Sequence, residues 1–277
     1  MRPLGGGVSG DVFLTDDGFV KKRFLPKLKV QMEWISDPRR VFREIDSLKA
    51  WGRIVGPDCV PQIVSVQPEE FGYTMAYAEG PTWKDLLMAG EVRRSIAHEL
   101  GRRLALVHRR PDAEARRALA GPGYFHSLRV EPYYETTAKR HPDLPIRADF
   151  GPETLVHGDY SPKNILVHKD GLWVLDHEVA HWGDPVFDLA FMLNHLVIKA
   201  FIFADSRYRD AARAFLDAYG PPPALEARTM VHLAVMMLAR VDGKSPLGYL
   251  TEEQRTRLRA HARRRLLEPV DRLGRFL

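Results

Sequence analysis

The chain has 277 residues, 45% of them hydrophobic and 28% charged, with a formal net charge of +5. That composition can fill one large or two modest cores and contains no stretch typical of disorder. A single cysteine, Cys59, excludes an internal disulfide and fits a reducing compartment.

Residues 1–78 read as strands with one helix. The opening run Gly5-Gly6-Gly7-Val8-Ser9-Gly10-Asp11-Val12 fits the pattern G-x-G-x-x-G-x-V. A dinucleotide-binding turn shares its first three glycines, but that fingerprint follows a strand and opens a helix. Here β-type residues at 11–14, a hairpin turn at Asp16-Asp17-Gly18 and a second strand at 18–24 follow instead, the context of a loop that covers phosphates. A frayed terminus is the plainer reading of the same glycines.

In the strand at 18–24, Val20, Lys22 and Phe24 share one face, and Phe19, Lys21 and Arg23 the other. Lys22 is the expected phosphate-contacting lysine because its face is otherwise apolar, with Lys21 as the alternative. The helix after Ser36-Asp37-Pro38, with Asp37 as N-cap and Pro38 at its first position, spaces Val41, Ile45, Leu48 and Trp51 as one apolar face. It carries Glu44, the expected carboxylate partner of the lysine, with Glu33 as the second candidate. A further strand is expected at 71–77.

Beyond Gly80-Pro81 the pattern turns helical. Val92, Ile96, Leu100, Leu104 and Val107 define one amphipathic helix, and others are expected at 187–203, 206–219, 224–240 and 251–268. The boundary between a smaller lobe, 1–78, and a larger one, 79–277, is read as a hinge. The most apolar stretch, 187–203, is interrupted by Asp188, Asn194, His195 and Lys199. No membrane span or signal peptide is expected, and the cytoplasm is the expected location. From Arg255 to Arg265 arginines recur beside Leu258, Ala262, Leu266 and Leu267 without interleaved aromatic residues. They are expected on the solvated face of a terminal helix, so no nucleic-acid partner is expected; salt-sensitive RNA binding would argue otherwise.

Inside the second lobe, short β-type runs at 154–156, 165–167 and 172–175 flank His157-Gly158-Asp159-Tyr160-Ser161-Pro162-Lys163-Asn164, and Asp176-His177-Glu178 follows. A loop held by apolar strands can aim Asp159 and Asn164 at one ligand, and Asp176 ends a strand. Phosphoryl transfer needs an acceptor for a hydroxyl proton and oxygen ligands for Mg²⁺. Asp159 suits the first role, Asn164 and Asp176 the second. Two other readings exist: an ordinary polar turn, or a transition-metal site drawing on His157, Asp159, His177 and His181, which lacks helical ligand spacing and cysteine partners.

These motifs, followed by Gly183-Asp184-Pro185-Val186-Phe187-Asp188-Leu189-Ala190, resemble the aminoglycoside phosphotransferase and choline kinase-like family over almost the whole chain. The resemblance implies an α+β, protein-kinase-like fold of two lobes. It implies Mg·ATP, with GTP as the alternative donor, and a small-molecule hydroxyl as acceptor. Carried over by motif, Asp159 is the catalytic base, Asn164 and Asp176 bind Mg²⁺, and Met75, Ala76, Tyr77 and Ala78 form the hinge beside the adenine. Gly5, Gly7, Gly10, Val12, Lys22 and Glu44 complete the nucleotide side, and Glu178 helps around the metals.

Asp184 reads as an N-cap before Pro185 and Asp188 as a first-turn carboxylate that, as the resemblance implies, ties the helix to the catalytic loop, both structural. Protein kinases are the rival within the fold, but only seven residues separate Asp176 from Asp184, too few for an activation segment. A catalytically silent nucleotide-binding protein is the other alternative, although no expected catalytic residue is missing. Arg240, Asp242 and Lys244 near a helix end argue against a polycationic acceptor and for a neutral, zwitterionic or anionic one. Trp182, Tyr133, Tyr134 and Phe191 are candidate pocket walls or core.

Overall fold

The computed structural model describes residues 1–5, 10–29, 35–151 and 153–277. Five antiparallel strands form the smaller lobe: β1 (Arg2–Pro3), β2 (Gly10–Leu14), β3 (Phe19–Phe24), β4 (Ile63–Gln67) and β5 (Gly72–Ala76), in spatial order β1-β2-β3-β5-β4. Gly18, at φ 83°, supplies the left-handed residue of the β2–β3 turn. Across the ladders Val12 faces Lys22, Lys22 faces Tyr73, and Val20 faces Met75. Since side chains alternate along a strand, these residues share one face of the sheet, and Lys21 and Arg23 lie on the other.

Helix α1 (Arg40–Ile54) packs its Val41, Ile45, Leu48 and Trp51 side chains into the core. It starts later than the Asp37-Pro38 pair suggests. Pro38 and Arg39 form a turn, whose Arg39 N–H donates to Asp37 Oδ1 at 2.9 Å, and the helical ladder begins only at Arg40. Strand β4 was not anticipated because it is irregularly paired and turns Val64 and Val66 to solvent.

The larger lobe contains α2 (Trp83–Met88), α3 (Arg94–Arg109), α4 (Ala113–Ala118) and a π-helical stretch, His126–Glu135, that runs into α5 (Thr136–Arg140). Two ribbons follow, pairing β6 (Thr154–Val156) with β9 (His181–Gly183) and β7 (Ile165–His168) with β8 (Gly171–Val174). Then come α6 (Val186–Phe203), α7 (Ser206–Tyr219), α8 (Pro223–Asp242), α9 (Glu252–Leu267) and α10 (Leu273–Phe276).

Helix α6 is long and apolar enough to cross a membrane by length and composition, yet 78% of that stretch is buried inside the protein. A helix apolar on all sides needs cover on all sides, and α7, α8 and α9 supply it here. Its ladder begins at Val186, one residue before the expected 187 and one after the Asp184 N-cap reading implies, with Pro185 at the N-cap and Asp184 Oδ1 accepting the Val186 N–H at 3.0 Å. Tyr133, Tyr134 and Phe191 are buried in the core of this lobe.

Candidate active site

A cavity of about 520 Å³ lies between the sheet and the larger lobe. Gly5, Gly10, Val12 and Lys22 line it from the sheet, and Glu44 from α1. Met75, Ala76, Tyr77 and Ala78 line it from β5 and the connection that follows. Asn164 and Asp176 line it from the larger lobe. Gly7 and the alternative carboxylate Glu33 lie outside the described residues. Gly10 is required by packing as well, because a Cβ there would collide with the Arg23 carbonyl on the paired strand.

The strand phasing separates the two lysines. Lys22 Nζ reaches both Glu44 oxygens at 2.9 Å and Asp176 Oδ1 at 2.8 Å. Lys21 turns outward and pairs with Glu70 at 2.7 Å. Tyr73, opposite Lys22 in the ladder, donates its hydroxyl to Glu44 Oε1 at 2.7 Å. Burial opposes the Lys22 charge, but the Asp176 and Glu44 carboxylates outweigh it and raise the Lys22 pKa. Burial likewise pushes Asp176 up, yet the Lys22 and Lys163 charges hold it well below the usual carboxylate range. Asp176 is thus a fixed anion at the cavity wall. Its backbone sits at φ 64°, in the left-handed region that few residue types other than glycine and Asn/Asp accept.

Asp159 is 3% exposed and lies on the loop between β6 and β7. Its Oδ2 meets Lys163 Nζ at 2.8 Å and Arg129 Nη2 at 3.0 Å. Asn164 Nδ2 donates to the Asp159 carbonyl at 2.9 Å, so the amide oxygen is the atom left for a ligand. Gly158 holds φ +78°, and a Cβ there would lie 2.7 Å from the Val179 carbonyl, which explains glycine before Asp159. Asp188 accepts the His157 N–H at 2.7 Å and the Gly158 N–H at 2.9 Å, tying the first turn of α6 to this loop.

His157 and His177 are structural. His157 Nε2 lies 3.1 Å from the Leu175 carbonyl, and its Nδ1 accepts the Asp159 N–H at 3.0 Å. His177 Nε2 lies 3.2 Å from the Val174 carbonyl, and its Nδ1 meets Ser47 Oγ at 2.8 Å. Each ring therefore donates at one nitrogen and accepts at the other, the neutral form, and burial lowers both pKa values. With both nitrogens of each ring engaged, and no group of three metal-ligating His, Cys, Asp or Glu side chains among the described residues, the transition-metal reading loses its ligands.

Helix α1 is bound to the larger lobe along its length. Buried Arg40 pairs with Glu178 at 2.6 Å, Ser47 holds His177, and Trp51 meets the His157 and His177 rings edge-on at 6.0 and 5.4 Å. Burial and the neighbouring Asp176 charge lift Glu178 to about 7, against the pull of Lys22 and Arg40. Sequence reasoning missed Arg40, Ser47, Tyr73, Arg129 and Lys163 as parts of the site. Lys163 was detectable, four residues after Asp159 in the same loop, whereas Arg40 and Glu178 are 138 positions apart and share no local signal.

Comparison with known proteins identifies the family and the fold. The family model described as "Phosphotransferase enzyme family" (APH) matches residues 1–229. No curated protein matches the chain. Among solved structures, the GDP complex of aminoglycoside 2'-phosphotransferase-IIIa is 16% identical with a TM-score of 0.56, covering 96% of this chain and 91% of that one. Amicoumacin kinase hAmiN, in complex with AMP-PNP, Ca²⁺ and amicoumacin, is 13% identical with a TM-score of 0.55, covering 100% and 92%. A choline/ethanolamine kinase family protein from Mesorhizobium loti is 14% identical with a TM-score of 0.53, covering 99% and 90%. At these identities the structures establish the protein-kinase-like two-lobe fold, and the family match establishes the rest: the chain belongs to the phosphotransferase enzyme family.

Proposed function

We propose that this protein transfers the γ-phosphate of ATP, with GTP as the alternative donor, to a hydroxyl of a small molecule. The observation that carries the reading is the Lys22–Glu44–Asp176 cluster, joined at 2.8–2.9 Å in the wall of one cavity with Asn164 beside it. Buried charges are tolerated when paired, and this set matches the needs of a nucleotide phosphate chain and its metal. In this reading residues 1–78 receive the nucleotide, 79–277 the acceptor, and 75–78 lie along the base. Gly5, Gly10 and Val12 lie over the phosphates, and Lys22, once nucleotide is present, contacts them while Glu44 and Tyr73 hold its position.

The donor set suits Mg²⁺. Asp176 is a fixed anion and Asn164 offers its amide oxygen; two protein oxygens leave room for the waters and phosphate oxygens that this ion retains. When bound, Mg²⁺ supplies charge neutralisation on the phosphoryl group. Asp159 orients the acceptor hydroxyl and takes its proton. Arg129 and Lys163 meet its Oδ2, so Oδ1 is the atom presented to the hydroxyl. Lys163 also lines the nucleotide cavity, so it bridges the carboxylate and the transferred group. A cytoplasmic location accompanies this reading, in keeping with the buried free thiol of Cys59.

The test is ADP release from Mg·ATP across amino alcohols, sugars, nucleosides, hydroxy acids and antibiotics, with Asp159→Asn as the control. Turnover with at least one acceptor, absent in the variant, is the expected result. Turnover that survives in Asp159→Asn would remove Asp159 from the chemistry, and no turnover across a broad panel would count against the enzyme.

A further inference from the structure

We infer that the acceptor carries an anionic group, received by Arg240 together with His195 and Lys199. The inference rests on the phosphotransferase reading for what happens at Asp159, but its own support is the geometry around α6. The His126–Glu135 stretch is a π-helix, a rare form that recurs at functional sites, and it presents Arg129 and Tyr133 to α6. The Arg129 guanidinium lies 5.7 Å from the Phe191 ring centre, and the Tyr133 and Phe191 rings are 5.5 Å apart. Phe191 in turn meets His195 at 5.5 Å, and the Tyr133 hydroxyl accepts from Arg240 Nη1 at 3.0 Å. A continuous line of contacts thus runs from Asp159 through Arg129 to Arg240 and His195.

Along that line, hydrogen bonding is incomplete. His195 Nε2 and Arg240 Nε are buried and, among the described residues, unpartnered, and so are both amide atoms of fully buried Asn194, next to His195 in α6. Buried polar groups are nearly always satisfied, so several open ones on adjoining side chains mark a place where a ligand completes the set. The charge is equally one-sided. Arg240 donates to the Tyr133 hydroxyl and to the Ser245 carbonyl and hydroxyl, and Lys199 reaches only the His195 carbonyl at 3.5 Å. Among the described residues neither is paired with a carboxylate. The nearby acids are committed elsewhere, Asp242 to Arg259 and His141, and Glu131 to Lys244.

Lys199 is 1% exposed, and burial followed by the charges of Lys84 and Arg240 lowers it to about 8. Burial, then Arg240, Lys199, Lys163 and Lys84, likewise hold His195 well below its ordinary value. The cluster is joined to Asp159 through Arg129, Phe191 and Tyr133, so an acceptor whose hydroxyl meets Asp159 could extend towards it. A carboxylate or phosphate on the acceptor would pair these cations and satisfy their open donors, whereas a polycation would add repulsion.

The experiment uses the full chain with the nucleotide cavity filled by Mg·AMP-PNP. Calorimetry then measures binding of two series matched in scaffold and differing in charge: glycerate, glycerol and aminopropanediol, and glucuronate, glucose and glucosamine. The expected result is binding that follows negative charge, weakened about tenfold or more by Arg240→Gln, with Mg·AMP-PNP affinity unchanged as evidence of folding. Lys199→Met is the second variant, expected to weaken the anions and leave the neutral members alone. Binding that ignores charge, absence of anion binding, or anion affinity untouched by both substitutions overturns the inference. A parallel ADP-release assay with Mg·ATP separates the two readings. Charge-selective binding without ADP release keeps the anion site and removes the phosphotransferase reading; equal turnover of neutral and anionic members does the reverse.

Discussion

The residues proposed to receive the nucleotide and those proposed to receive the acceptor are built on opposite rules. In the first set the buried charges have protein partners: Lys22 binds Glu44 and Asp176, Tyr73 holds Glu44, and Arg40 binds Glu178. In the second, Asn194, His195 and Arg240 keep buried atoms with no partner among the described residues. Paired charges hold their geometry before any ligand arrives, which suits a donor whose phosphates are always the same. Open ones wait for a ligand to complete them. Under this reading the first half states the chemistry common to the family and the second the specificity particular to this chain.

The largest expected effect lies where the halves meet. Asp159→Asn should lower kcat/KM by about a thousandfold in the ADP-release assay, with nucleotide affinity retained. A loss of only a few-fold would place the base elsewhere. Next, Lys22→Met strands two carboxylates that were paired in a buried setting, and should cost on the order of 3 kcal/mol in urea unfolding as well as weakening nucleotide binding. Lys21→Met, which removes only an exposed pair, should change neither; equal effects would mean that the sheet does not select between the two lysines as its phasing indicates.

Acid should also tell the lobes apart. No histidine occurs in residues 1–78. In the larger lobe, burial lowers His181 and His232 to about 4. A histidine whose folded pKa lies below its unfolded value of about 6.5 takes up its proton first in the unfolded chain, so stability is lost as pH falls from 6.5 towards 4. The expected slope is on the order of 1 kcal/mol per pH unit for each histidine, read as a falling urea midpoint. His181→Phe, which keeps the 4.2 Å stack on Phe125, should flatten that slope. An unchanged slope would show that His181 does not contribute. The smallest effect expected is that of Ser47→Ala, about 1 kcal/mol from the bond to His177, with kcat changed little.

Much of the nucleotide half was legible because its signals are local. Alternation in Val20-Lys21-Lys22 is enough to turn one lysine inward, and the apolar spacing of Val41, Ile45 and Leu48 gives α1 the face that carries Glu44 towards it. Helix starts were less exact: Asp37 and Asp184 both cap by side chain to the second residue onward, and the proline after each leaves the first regular hydrogen bond later. Strand β4 was hidden because an edge strand that exposes Val64 and Val66 lacks the buried alternation by which strands are recognised.

By itself the sequence determined the main strands and helices of the smaller lobe other than β4, the long helices of the larger one, and the short-range motifs around Asp159, Asn164 and Asp176. These follow from periodicity and spacing within a few residues. Only the tertiary structure decided which charges meet: Arg40 with Glu178, Arg129 with Asp159, and Arg240 with no carboxylate among the described residues. Such pairings join residues far apart in the chain, and no local pattern records whether a buried charge finds its partner.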